Sequence, residues 1–96
     1  MTIEEFTAAL TATTPPAVPP LLLALWHDAR GDWETAHSLA QDVDDASGAW
    51  LHAYLHRKEG DLSNAGYWYR RAGRPIATDS LEQEWSRIAA ALLAGR

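Results

Sequence analysis

The chain repeats itself, and this constrains its fold more than any other feature. The segment LLALWHDARGDWETA, residues 22–36, lies over LHAYLHRKEGDLSNA, residues 51–65, when the chain is slid by 29 positions. Leu22/Leu51, Ala24/Ala53, His27/His56, Gly31/Gly60, Asp32/Asp61 and Ala36/Ala65 are identical pairs. Self-similarity at such a period marks a helical-repeat architecture, in which one hairpin cannot bury its apolar face alone and stacks on the next. Gly31 and Gly60 each follow an apolar-periodic stretch, where a left-handed residue closes a helix. Asp32 and Asp61 come next, where a short carboxylate caps the free N–H groups of the following helix. Two helices joined by so tight a link run antiparallel and pack on each other. Ala36 and Ala65 then let the second axis approach the first. Asp61 reads as a cap, not as a catalytic acid.

Other signals place the remaining elements. Thr2 with Glu5 forms a capping box for a helix over 3–12, with Ile3, Phe6 and Leu10 on one side. TTPPAVPP, residues 13–20, is a stiff extended linker, because each Pro also holds its predecessor out of the helical region. Helices over 20–30 and 33–43 make a first hairpin (20–43), and helices over 48–59 and 62–72 make a second (48–72). Ser80 or Asp79 caps a last helix within 79–94, where Leu81, Trp85, Ile88 and Leu92 form an apolar stripe. Glu82, Gln83, Glu84 and Arg87 are expected on its solvent side, and the helix is expected to shield the last hairpin. A chain of 96 residues makes one domain, 1–96, and at 47% hydrophobic with five tryptophans it can fill a core. The fold class is all-α.

The stretch GDLSNAGYWYRRAGRP resembles the second half of a tetratricopeptide repeat, with Gly60, Asp61, Leu62, Ala65, Tyr69, Ala72 and Pro75 at the family's positions. Gly31, Asp32, Trp33 and Ala36 match in the first unit. This degenerate resemblance covers about residues 22–75. It implies a tetratricopeptide-like array of two hairpins, flanked by an N-terminal helix and a C-terminal capping helix. It further implies a non-enzymatic protein–protein interaction module that holds a peptide in the groove lined by the first helix of each hairpin. Carried onto this chain, the groove positions of the second unit are Trp50, Tyr54, Arg57 and Lys58. Aromatic anchors beside cations suit an acidic peptide or a free C-terminal carboxylate. The first unit offers Leu21, Leu25 and Asp28 there, and the competing use of the groove is to be filled by the N-terminal helix.

Two further constellations carry chemistry. On the YWYRR helix, Ala65, Trp68, Tyr69 and Ala72 are expected inward, whereas Tyr67, Arg70, Arg71 and Arg74 point outward as a second binding surface. Cations near a helix C-terminus also offset its dipole, and Arg stems cover apolar surface. His52 and His56 stand one helical turn apart, and His27 occupies the equivalent repeat position, so these three are the candidate ligands of a small metal- or ligand-binding protein. His37 belongs to no such pattern.

The totals exclude several classes. A net charge of −5 argues against nucleic acid as a partner, since that affinity rests on neutralising phosphates. Residues 1–49 carry −7 and residues 50–96 carry +2, a dipolar distribution that favours head-to-tail association and a homodimer. Without cysteine there is no disulfide framework and no thiolate metal site. Ser38, Ser47, Ser63 and Ser86 have no nucleophile-elbow glycines, and no glycine-rich phosphate loop is present, so neither an enzyme nor a bound cofactor is expected. The N-terminal MTIEEFTAAL is acidic where a signal peptide is basic, and LLLALW is too short for a bilayer. The expected location is cytoplasmic, without a membrane partner.

Overall fold

A computed structural model describes residues 1–95, which form six helices and no strand. These are α1 (Ile3–Ala8), α2 (Pro20–Ala29), α3 (Trp33–Gln41), α4 (Ala46–Lys58), α5 (Leu62–Ala72) and α6 (Leu81–Ala94), with a 3₁₀ turn over Ala9–Thr11 prolonging α1. Local chemistry accounts for most of their ends. Glu5 N–H donates to the Thr2 hydroxyl (3.1 Å) and Thr2 N–H to the Glu5 carboxylate (2.7 Å), the reciprocal pair of a capping box. Ser80 and Gln83 repeat it at the start of α6.

The two Gly-Asp turns are built alike. Gly31 and Gly60 sit at φ 85° and 86°, which a side chain would strain. Gly31 N–H donates to the Asp28 carbonyl and Asp32 N–H to that of His27; Gly60 to Arg57 and Asp61 to His56 follow suit. Both turns are therefore Schellman closures. Each Asp then accepts from the backbone N–H three residues on, Thr35 at 3.1 Å and Asn64 at 3.3 Å.

Helix α4 begins two residues earlier than the glycine at 48 suggests. Asp45 caps it by accepting from Gly48 N–H at 2.8 Å. Gly48 is required within this first turn, because a Cβ there would lie 1.9 Å from the Val43 carbonyl oxygen.

Helix α2 packs on α3, α3 on α4 and α4 on α5, most extensively in the last pair. The repeated positions Leu22, Ala24 and Ala36, with Leu51, Ala53 and Ala65, are all buried. Helix α6 covers the α4 side of the second hairpin and also lies across α2, with α1 against it. Trp85, Ile88 and Ala89 supply its buried stripe. Phe6 of α1 stacks on Trp85 at 5.7 Å, and Trp85 Nε1 donates to the Leu25 carbonyl at 3.1 Å. Glu84, expected toward solvent, is 0% exposed. At the other end of the Pro-rich segment, Trp26 Nε1 and Arg30 donate to the carbonyls of Ala9 and Leu10, fastening the end of the α1 turn to α2. No helix among the described residues is long and apolar enough to cross a membrane.

Candidate functional site

The groove face of α4 is closed by the chain itself. Trp50 and Tyr54 are buried, and all four groove residues point their polar atoms at internal carboxylates or carbonyls. Glu84 of α6 accepts from Trp50 Nε1 (3.2 Å), Arg57 (2.8 Å) and the Tyr69 hydroxyl (2.8 and 2.7 Å). Asp28 of α2 accepts from the Tyr54 hydroxyl (2.9 Å) and Lys58 Nζ (2.9 Å). Arg57 also donates to the Asp79 carbonyl. Where a partner's carboxylate was expected, Glu84 stands. The element packed on this face is α6 and not the N-terminal helix; it draws Trp50 and Arg57 to Glu84, whereas Tyr54 and Lys58 border a cleft of about 480 Å³ beside Leu81 and Trp85. Burial, and then the neighbouring carboxylate, push the hydroxyls of Tyr54 and Tyr69 well above the ordinary phenol range. Both remain donors at any physiological pH.

The second surface divides. Arg74 lies 3.5 Å above the Trp50 ring, a cation–π contact on the groove side. Tyr67 and Arg71 form a ridge on another flank of α5, where Arg71 donates to the Tyr67 hydroxyl (3.1 Å) and leans over Trp68. Arg70 is exposed between these two directions.

A histidine cluster occupies the opposite flank of α4. His52 and His56 are both buried on it, with ring centroids 4.8 Å apart. The third ring is His37 from α3, at 4.6 Å from His52 and 5.2 Å from His56. One ring nitrogen from each lies within 4.8 Å of those of the other two. His27 is not among them; its ring packs edge-on against Trp26. The physical reason is that α3, and not the stacked equivalent helix α2, presents its side to α4 at this level. The signal for His37 was its spacing of four from Trp33, which puts both on one face of α3.

Aromatic walls hold the rings. Trp33 stacks on His37 (4.8 Å) and Trp68 on His52 (3.9 Å). Trp33 Nε1 donates to the Leu55 carbonyl at 2.8 Å, tying α3 to α4. His37 Nε2 and His52 Nε2 are 2.9 Å apart and share one hydrogen bond. The His56 Nδ1 lies 2.6 Å from the Glu59 carboxylate, an acceptor, so Nδ1 carries a proton and the neutral ring keeps its lone pair on Nε2. Asn64 approaches that Nε2 at 3.4 Å.

Burial lowers the pKa of His37, the nearby His56 adding to the effect, although Glu59 opposes it. Burial, then His37 and His56, take His52 down to about 4. Neutral imidazoles with available lone pairs can accept hydrogen bonds or bind a metal. A cleft of about 450 Å³ adjoins His52, walled by Val43, Asp45, Gly48, Trp68 and Arg71. Arg71 reaches Asp44 across it at 3.8 Å.

No family model matches the chain, and no curated protein or solved structure is significantly similar to it.

Proposed function

We propose that the protein is a non-enzymatic interaction module, a tetratricopeptide-like pair of hairpins whose working surface is the outer face of α5 instead of the interior groove. What α5 leaves uncovered carries this reading. Leu62, Ile76 and Tyr67 are 69%, 61% and 45% exposed, and apart from Met1 they are the exposed large apolar side chains among the described residues. All three lie on α5 or just after it. Arg70 lies beside Ile76 over Gly66, and Arg71 lies beside Tyr67.

The arrangement has a simple physical origin. In a stacked array, the last helix offers its outer face to the next one. Here the next helix, α6, is spent on the groove, so the α5 face stays apolar, positively charged and unpartnered. An acidic, amphipathic helix fits that chemistry, and the acidic first half of a second copy is one surface that could provide it.

Retention of a partner from host lysate by wild type is compared with Leu62→Glu/Arg71→Glu, followed by titration with the purified partner. The expected result is binding at least about tenfold weaker in the variant, about 1.4 kcal/mol. Melting is expected to stay close to wild type, because both positions are exposed. Equal binding by both proteins sinks the reading. Sedimentation over a range of protomer concentrations tells whether a second copy is the partner.

A further inference from the structure

We propose that His37, His52 and His56 hold a divalent transition-metal ion, with zinc the best chemical match, in a three-nitrogen site with one open position. The inference shares Arg71 with the α5 surface but rests on the three rings.

The donor set is the first ground. Three imidazoles converge with ring nitrogens within 4.8 Å of one another, from two helices that pack together and from a pair spaced one turn apart on α4. Nitrogen donors without thiolate suit zinc, copper(II) or nickel(II), whereas calcium and magnesium take oxygen. A tetrahedral ion with zinc–nitrogen bonds of about 2.0–2.1 Å needs nitrogens roughly 3.3 Å apart. The His37 and His52 Nε2 atoms, at 2.9 Å, need only part slightly to reach that separation. The proton between them moves to Nδ1 of the same ring, freeing both lone pairs.

The surroundings are the second ground. Glu59 holds the proton on His56 Nδ1 at 2.6 Å and so leaves Nε2, which Asn64 approaches at 3.4 Å, as the donor atom an ion would take over, the carboxylate–histidine arrangement typical of metal sites. Trp33 and Trp68 stack on His37 and His52, limiting ring rotation and keeping the set organised before an ion arrives. Access is also present. His37 is only half-buried, and His52 lines the cleft that reaches Arg71. Three protein ligands leave the fourth position for water or a small anion, and the Arg71 guanidinium favours the anion.

The full chain, stripped with a chelator, is titrated with Zn²⁺ by calorimetry and with Co²⁺ by visible absorption. One ion per chain is expected, with tetrahedral cobalt bands and a melting temperature that climbs with zinc concentration. His37→Gln is the first variant because that ring is the least buried of the three; affinity is expected to fall at least about tenfold, and Glu59→Gln to weaken it roughly 10–100-fold. His27→Gln is expected to bind like wild type. Absence of saturation at one equivalent, undiminished binding in His37→Gln, or loss of binding in His27→Gln would each overturn the site. Should His37→Gln fail to fold, ring-nitrogen NMR of the wild type decides instead. Zinc must shift His37, His52 and His56, and shifts confined to His27 or the N-terminal amine rule the site out.

Discussion

The two flanks of α4 each carry a polar cluster under an aromatic roof, but they differ in what completes them. On one flank, Trp50, Arg57 and Tyr69 direct three donors at Glu84, and Tyr54 and Lys58 direct two at Asp28. Donors and carboxylates of opposite charge meet there, and the network is closed. On the other flank, His37, His52 and His56 bring three rings of one kind together, with a single proton bridging two of them and Glu59 orienting the third. A network closed by its own counter-charges stabilises a fold and leaves no bonding capacity for a partner. The three rings are joined by no such set of opposed charges. The contrast sets a face whose donors are spent on internal carboxylates against a flank on which His37 joins His52 and His56.

Breaking the closed network is expected to have the largest effect. Glu84→Ala leaves the Arg57 charge, Trp50 Nε1 and the Tyr69 hydroxyl without their shared acceptor, at a cost of about 3–5 kcal/mol measured by urea unfolding. A loss below about 1 kcal/mol would mean that apolar contacts alone hold α6 in the groove, and the comparison would fail.

Acid sharpens the other side. His52 titrates near 4 in the folded protein against 6.5 ordinarily. Below pH 6.5 the unfolded chain therefore binds the extra proton, and the stability held above 6.5 is lost as pH falls toward 4. The loss attributable to His52 is at most about 3 kcal/mol. Chelator-treated wild type should show it in denaturation curves across that window, and His52→Phe, if folded, should show a shallower dependence. Identical slopes would remove His52 from the account.

The smallest expected change tests the two turns against each other. Gly31→Ala and Gly60→Ala both put a Cβ at φ above 80° with open space around it, so strain alone should cost about 1–2 kcal/mol in each. A large difference in thermal melting between the two would show that the matched turns are not energetically equivalent.

How much of this was legible in the sequence follows from the range of each interaction. The capping boxes at Thr2 and Ser80, the Schellman turns at Gly31 and Gly60 and the Asp caps all join groups within five residues. Their spelling in the sequence is their structure. Helix α4 is a partial exception, since Asp45 started it where a loop was expected and Gly48 served a close backbone approach. Glu84 was unreadable for a different reason. Between polar neighbours it looked like a solvent-side residue, and only Trp50, Arg57, 27 positions earlier, and Tyr69 make its burial tolerable. The second-surface residues likewise parted company when Arg74 found Trp50 in space.

The sequence by itself determined the helices, their caps and the two matched turns, because hydrogen bonds between near neighbours decide backbone conformation. Tertiary structure alone decided that α6 covers the groove, that His37 rather than His27 meets His52 and His56, and that α5 keeps an open face. Those outcomes depend on which apolar stripes and unpaired charges find one another across the chain, and burial makes that choice.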